Sequence, residues 1–134
     1  MKKQIMAVTL TAAMLAGLAA VPVWADDAGS DEGKVLNIYC WNEEFKTRLT
    51  DHYPGYEEVD GTHGKIGDVD VVWNITPSDD NAYQNNLDET LLKQADAAAD
   101  DKIDLFLVEA DYALKYVNTD YTMSVADLGI TADE

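Results

Sequence analysis

The chain is poor in cysteine and in basic residues. Its 134 residues include one cysteine, Cys40, and 9 lysines and arginines against 26 aspartates and glutamates. A single cysteine excludes an intrachain disulfide and a cysteine-based zinc site. The formal charge of −17 argues against nucleic acid and anionic membrane surfaces as partners, since binding to either needs clusters of Lys and Arg.

The sequence also lacks the short motifs of common catalytic and metal sites. The segment from Gly61 to Gly67 has no Ser or Thr after its lysine and precedes a predicted strand, so it does not fit a phosphate-binding loop. Asp68 and Asp70 lack the glycine and glutamate of a calcium loop. There is no nucleophile elbow and no zinc-protease histidine pair. The sequence therefore predicts a non-enzymatic protein without a metal or a cofactor.

The first 25 residues have the pattern of a secretory signal peptide. Lys2 and Lys3 precede an uncharged, mostly apolar run over residues 5–21, which is followed by the helix breaker Pro22 and a small-residue exit at Ala25. The alternative is a membrane anchor, since the apolar run approaches spanning length. Cys40 lies too far downstream for a lipid attachment site. We therefore expect cleavage after Ala25 and an extracytoplasmic protein, in a periplasm or at the outer face of the cell membrane.

The mature chain is predicted to begin with a short acidic leader over residues 26–33, followed by one domain over residues 34–134. Removal of residues 1–25 takes away two lysines and no acid, so the formal charge changes from −17 to −19. Such a charge is typical of a soluble, self-repelling surface.

Strand and helix patterns alternate along this domain. Continuous apolar runs predict buried strands, and apolar residues every four positions predict helices. The predicted strands are Val35–Trp41, Val69–Ile75 and Ile103–Val108. The first predicted helix has its apolar face at Phe45, Leu49 and Tyr53, the second at Tyr83, Leu87, Leu91 and Ala95, and a short third helix covers residues 110–117. Residues 59–67 are predicted as a loop, and residues 123–130 as one more short element. This alternation predicts an α/β fold, a three-layer αβα arrangement with a mainly parallel sheet.

Ligands of open parallel sheets bind beyond the carboxyl ends of the strands. Residues 41–44, 74–77 and 109–112 follow the three predicted strands. The first and the third of these segments combine an aromatic ring with carboxylates, and the first adds an amide. Rings stack on sugar faces and carboxylates accept hydrogen bonds from hydroxyls, so this composition favours a neutral polyol over an anion.

Each of these side chains also has a purely structural interpretation. Trp41 suits a core position at a strand end, and Glu43 suits the first turn of a helix, where the dipole favours acids. Glu109 and Asp111 suit the cap of the third predicted helix.

Several segments resemble the extracellular solute-binding proteins of carbohydrate ABC importers, which have the periplasmic-binding-protein-like fold of type II. After the signal peptide and the acidic leader, the resemblance covers nearly all of residues 34–130, although its motifs are loose. It rests on Ile38-Tyr39-Cys40-Trp41-Asn42, on YQNNLDETLL from Tyr83, on DKIDLF from Asp101, on Tyr112-Ala113-Leu114-Lys115-Tyr116 and on Leu128-Gly129-Ile130.

The resemblance implies a two-lobed receptor that closes over a sugar or oligosaccharide and delivers it to a membrane permease. Members of this family are much longer, so the chain would be a partial amino-terminal lobe, and the full-length receptor would be a monomer. Trp41, Asn42 and Glu43, and likewise Glu109 and Asp111, would face the ligand cleft. The alternatives are a fragment of a secreted flavodoxin-like enzyme and a non-catalytic secreted adhesion module.

Overall fold

The computed structural model describes residues 33–131. The predicted signal peptide, all of the predicted leader except Gly33, and residues 132–134 lie outside this range.

The described chain has a mixed α/β fold built on one five-stranded sheet, with strand order β2-β3-β4-β1-β5. The strands and α-helices follow one another in the order β1 Val35–Cys40, α1 Glu44–His52, β2 Tyr56–Glu58, β3 His63–Ile66, β4 Val69–Ile75, α2 Ala82–Leu91 and β5 Leu105–Phe106. Within residues 33–131 no helix has the length and apolar character that a membrane span requires.

Strand β1 is the middle one of three parallel strands, since it pairs in parallel with β4 on one side and with β5 on the other. The β1–β4 pairing runs from Val35 opposite Asp70 to Cys40 opposite Ile75, and the Thr76 N–H extends it by donating to the Cys40 carbonyl at 3.0 Å. The β1–β5 pairing joins only Ile38 to Leu105 and Tyr39 to Phe106.

Alternate residues of β1 enter two different apolar clusters, because successive side chains of a strand point to opposite faces. Ile38 and Cys40 pack with Val71 and Trp73 of β4, and α1 covers this cluster with Phe45 and Leu49. Tyr39 packs on the opposite face against a cluster that contains three residues of α2, namely Tyr83, Leu87 and Leu91. The predicted apolar face of α2 is thus confirmed at these three positions, whereas Ala95 lies beyond the helix and is exposed.

The sheet is mixed, so the prediction of a mainly parallel sheet is wrong for its outer half. Strand β3 lies in the segment predicted as a loop and pairs antiparallel with both β2 and β4. A two-residue turn, Gly67-Asp68, connects β3 to β4, and Gly67 has φ 60°. A positive φ at this position of a tight hairpin favours glycine. The glycines of this segment thus shape a hairpin.

The elements near the carboxyl terminus are shorter than predicted. Strand β5 contains two residues instead of six, the third helix is a single 3-10 turn over Ala113–Lys115, and the last element is a 3-10 turn over Val125–Leu128. Helix α2 follows a 3-10 turn in which Asp80 and Asn81 have positive φ angles of 51° and 60°. Within residues 33–131 β5 pairs with β1 alone, and the flanking residues of the predicted strand make single hydrogen bonds, from the Asp104 N–H to the Asn37 carbonyl and from the Leu107 N–H to the Tyr39 carbonyl, that do not extend the ladder.

Candidate functional site

The topology selects one end of the sheet as the candidate site. Strands β1, β4 and β5 run parallel, so their carboxyl ends share one edge. The chain leaves β1 for β4 on one side and then returns past β1 to β5 on the other, with α1 and α2 on opposite faces. This reversal places a topological switch point between β1 and β5, where open α/β sheets form a crevice for ligands.

Trp41 lies at this switch point, directly after β1. Its indole is half-buried and packs edge-on against the ring of Tyr83, with ring centroids 5.5 Å apart and an interplanar angle of 76°. Edge-to-face packing of this kind stabilises an aromatic pair by about 0.5–1.5 kcal/mol beyond its burial. Trp41 therefore has the core role that its position allows, and the uncovered part of its ring remains accessible to a ligand.

A small pocket of about 190 Å³ opens beside the indole of Trp41. Its walls are Trp41, Asn42, Glu44, Phe45, Arg48 and Leu107. Leu107 is the residue directly after β5, so residues from both sides of the switch point line the pocket. Phe45, Arg48 and Leu107 complete the walls, and the sequence did not indicate any of these three as a site residue.

Arg48 brings a positive charge to this pocket, and Glu44 balances it. The guanidinium donates to the Glu44 carboxylate from Nη2 at 2.7 Å and from Nε at 3.2 Å. Both side chains are about two-thirds exposed, so the pair contributes only about 0.3–0.5 kcal/mol. The i,i+4 spacing from Glu44 to Arg48 is a visible signal for this pair in the sequence. As a pair, the two groups offer donors and acceptors with little net charge.

Asn42 and Glu43 shape the start of α1. The Asn42 side-chain oxygen accepts a hydrogen bond from the Glu44 N–H at 3.0 Å. The Glu43 carbonyl accepts from the Thr47 N–H at 2.9 Å, and the Glu43 side chain makes no capping hydrogen bond. Glu43 lines a different small pocket on the other side of α1, together with Lys46 and Glu58. The structure therefore joins Asn42 to the Trp41 pocket and separates Glu43 from it.

Glu109 and Asp111 lie just past β5, on the same edge of the sheet, and both are exposed. The Glu109 carbonyl accepts from the Tyr112 N–H at 3.2 Å, which forms a turn. The 3-10 turn that follows has no side-chain cap, so neither carboxylate has the capping role that was the alternative for them. Neither residue lines the Trp41 pocket. Their contact with a ligand stays a prediction.

Tyr83 holds the ends of β1 and β5 together beneath the pocket. Its hydroxyl lies 2.6 Å from the Leu107 carbonyl and 3.1 Å from the Tyr39 carbonyl, and its side chain is almost fully buried. Burial raises the pKa of Tyr83 because the phenolate would be desolvated. The spacing of α2 indicated Tyr83 as a core residue, but the two carbonyls that it bridges belong to distant strands and have no local signal.

A second polar cluster lies at the tip of the β2–β3 hairpin, where the Asp60 carboxylate contacts His63 Nδ1 at 2.9 Å. The Thr62 hydroxyl contacts the same ring nitrogen at 3.1 Å. A catalytic relay uses both ring nitrogens of a histidine, one for the acid and one for the nucleophile. Here the Asp60 carboxylate and the Thr62 hydroxyl contact the same nitrogen, Nδ1, so the cluster shapes a turn and does not have the arrangement of a relay. Hydrogen bonds from the Thr62 N–H and from His63 lower the pKa of Asp60 to about 2.

The acidic residues of the described range were also compared with the requirements of a metal centre. Among residues 33–131, no group of three or more His, Cys, Asp or Glu side chains is placed to hold a metal ion. The Trp41 pocket thus offers an aromatic surface, an amide and a balanced ion pair. These groups suit reversible binding of a small polar molecule.

Comparison with known proteins adds no family to this description. No family model, curated protein or solved structure matches the chain.

Proposed function

We propose that the chain is a partial amino-terminal lobe of an extracytoplasmic solute-binding protein, which binds a sugar or oligosaccharide for an ABC importer. The observation that carries this proposal is the half-exposed indole of Trp41 beside a pocket at the switch point between β1 and β5. The resemblance of residues 34–130 to this family of receptors supports the same assignment.

In this proposal, β4, β1 and β5 are the parallel core of a three-layer αβα lobe. Helices α1 and α2 are its outer layers, and the β2–β3 hairpin extends the sheet on the β4 side. The order of the parallel strands, with β1 between its two successors, is the order of doubly wound sheets that bind ligands at a switch point.

A neutral ligand fits the pocket better than an anion. The one cation among the lining residues, Arg48, is engaged by Glu44, and Glu109 and Asp111 add negative charge at the same edge of the sheet. An anion would meet this charge with no unpaired cation at the pocket. A sugar could stack on the indole of Trp41 and exchange hydrogen bonds with Asn42 and with the ion pair.

A thermal-shift screen of the chain against mono- and oligosaccharides tests the ligand class. A ligand that binds only the folded state stabilises it by mass action, by about 2.7 kcal/mol at 100 times its Kd. We expect at least one carbohydrate to raise the melting temperature, while amino acids and inorganic anions at equal concentration leave it unchanged. A shift with anions but with no carbohydrate would overturn the proposed ligand class.

The transport role and the export have separate tests. We expect permease genes beside the gene for this chain and a secreted protein whose intact mass begins at Asp26. The flavodoxin-like enzyme fragment shares the observed strand order, and the adhesion module shares the predicted export. Neither alternative requires neighbouring permease genes, so a locus without them would favour these alternatives.

A further inference from the structure

The direct pairing of β1 with β5 stops at the level of the candidate pocket. On the side of β1 that faces β5, the Tyr39 carbonyl accepts a hydrogen bond from the Leu107 N–H at 3.0 Å. Alternate residues of a parallel strand face the same neighbour, so a longer ladder would next join the Trp41 N–H to the Leu107 carbonyl. Within residues 33–131 the Trp41 N–H donates neither to this carbonyl nor to any other acceptor.

The Tyr83 hydroxyl takes the place of the Trp41 N–H. It donates to the Leu107 carbonyl at 2.6 Å, from a side chain that is almost fully buried. The hydroxyl carries a single proton, and the Tyr39 carbonyl, which lies farther away at 3.1 Å, already accepts from the Leu107 N–H, so the proton belongs to the contact with the Leu107 carbonyl. This carbonyl therefore has a donor without Trp41, and the ends of the two strands are joined through a tyrosine and not directly.

This exchange of donors affects the pocket, because Trp41 and Leu107 are both among its walls. A hydrogen bond between their backbones would hold the nitrogen and the oxygen about 2.9 Å apart and the two strands about 4.8 Å apart. The space of about 190 Å³ beside the indole would then narrow. The pocket can therefore stay open with the Leu107 carbonyl satisfied only if a group other than the Trp41 N–H donates to it.

We infer that Tyr83 is a positioning residue of the pocket, whose hydroxyl ends the pairing of β1 with β5 and keeps the space beside Trp41 open. The identity of the occupant, a neutral carbohydrate, rests on the proposed function, whereas the opening follows from the backbone geometry. Phenylalanine at position 83 would fill the same space without a donor. The Leu107 carbonyl would then lack its partner, which is costly, and the Trp41 N–H is the ladder donor that can replace it. Tyr83→Phe should therefore close the pocket.

Amide hydrogen exchange followed by NMR tests this inference on the full chain, on Tyr83→Phe and on the matched control Tyr116→Phe. Tyr116 is also a buried tyrosine of the same apolar cluster, and its hydroxyl donates to the Asp88 carboxylate at 2.9 Å. In the unaltered chain the Trp41 amide should exchange faster than the Leu107 amide. In Tyr83→Phe the Trp41 amide should exchange roughly fivefold more slowly, which is the protection that one hydrogen bond gives, although the variant as a whole is less stable. Tyr116→Phe should give the Trp41 amide no protection.

A tyrosine with a stabilising role alone would give the opposite result, because loosening of the core speeds exchange at the amides around it. Unchanged or faster exchange of the Trp41 amide in Tyr83→Phe, or equal slowing in Tyr116→Phe, would overturn the inference. The comparison within the unaltered chain applies even if Tyr83→Phe does not fold. A Trp41 amide that is as protected there as the Leu107 amide would overturn the inference as well.

Quenching of indole fluorescence by acrylamide, a small neutral molecule, measures the opening of the pocket itself. With Trp24→Phe in every protein, the remaining indoles are those of Trp41 and Trp73, and Trp73 is only 2% exposed. Quenching should be weaker after Tyr83→Phe and unchanged after Tyr116→Phe, and equal quenching in all three proteins would overturn the inference. No carbohydrate enters either experiment, so a carbohydrate screen without a hit would overturn the proposed function alone.

Discussion

At the scale of single residues, Tyr83 connects the core to the candidate site. Its ring packs against Trp41, and its hydroxyl lies within hydrogen-bonding distance of carbonyls in or beside both strands of the switch point. Because the side chain is almost fully buried, the hydroxyl has no access to bulk water as a substitute partner. Tyr83 is therefore one of the contacts that position Trp41.

Tyr83→Phe should lower the free energy of unfolding by about 1 kcal/mol, because it removes a buried hydrogen bond and leaves the ring in place. Urea denaturation of the chain and of the variant measures this loss. Tyr53→Phe is a suitable control, since Tyr53 is about half exposed and its hydroxyl makes no hydrogen bond within the described residues. An equal effect of the two substitutions would contradict the role of the Tyr83 hydroxyl.

The burial of tyrosine side chains also predicts that the folded chain loses stability at alkaline pH. The pKa values of Tyr83 and Tyr116 are raised above the ordinary value of 10.0, mainly by desolvation. The folded state therefore holds these protons more tightly than the unfolded state does. The stabilisation is complete below pH 10 and is lost as the pH rises above it. We expect the urea midpoint to fall between about pH 10 and pH 11, and to fall less in Tyr83→Phe. An identical pH profile in that variant would contradict this explanation.

At the scale of elements, the β2–β3 hairpin is held to the core by aromatic packing and one covered lysine. The Trp73 Nε1–H donates to the Tyr56 hydroxyl at 3.0 Å, which fixes the Tyr56 ring over Gly64. Lys46 of α1 donates to the Glu58 carboxylate at 2.9 Å and to the Gly61 carbonyl at 2.7 Å. The hairpin thus depends on contacts that cross from β4 and from α1.

Gly64→Ala should destabilise the chain by about 1–3 kcal/mol, which is typical of overpacking. A Cβ at position 64 would lie 2.3–2.4 Å from atoms of the Tyr56 ring. Gly61→Ala is the matched control, because nothing lies within 4 Å of its Cβ position. Chemical denaturation of both variants measures the difference. Equal stability of the two variants would show that the Tyr56 ring does not cover Gly64.

The sequence predicted the local elements better than their pairing. The bounds of β4 and the buried face of α2 follow from continuous apolar character and from fourfold spacing, both of which are local signals. Strand β3 was not predicted, since its Gly64 and its flanking glycines indicate a loop until Tyr56 is seen packed over it. The length of β5 depends on how many neighbours pair with it, which no local pattern contains.

The candidate site shows the same division. The position of Trp41 at the end of β1 followed from one strand pattern, and the structure places it there. The separation of Glu43 from the pocket depends on the direction in which α1 leaves the sheet. The contribution of Leu107 depends on β5 lying next to β1. Both the separation of Glu43 and the contribution of Leu107 depend on tertiary structure, so neither could be predicted from the order of the residues alone.

At the scale of the whole molecule, a small apolar core carries a large negative charge. Fully buried apolar side chains within residues 33–131 are few, and many large apolar side chains of the carboxyl-terminal segment are exposed, among them Leu114, Met123 and Leu128. Unbalanced like charge destabilises a compact state by self-repulsion. We therefore expect the charge to make the chain marginally stable, and the exposed apolar side chains to make it prone to aggregation.

Added salt should stabilise the chain, because it screens the repulsion among the acidic residues. We expect the melting temperature to rise between low salt and about 0.5 M NaCl, where the screening length is only a few ångströms. Scanning calorimetry at several salt concentrations measures this change, and sucrose serves as a control for general solvent effects. A sharp, cooperative transition of the monomer at low salt that NaCl leaves unchanged would contradict this description.

The central claim is that the edge of the sheet beside Trp41 binds a carbohydrate. Titration calorimetry tests it most directly, with the carbohydrate that gives the largest thermal shift and with the chain, Trp41→Ala, Asp111→Ala and the control Asp68→Ala. We predict that Trp41→Ala and Asp111→Ala each weaken binding about tenfold, or about 1.4 kcal/mol, while Asp68→Ala leaves the Kd unchanged. Trp41→Ala should also lower the melting temperature of the unliganded chain more than Asp111→Ala does, because its ring packs against Tyr83. Unchanged affinity in both Trp41→Ala and Asp111→Ala would contradict the claim and leave these residues with structural roles alone.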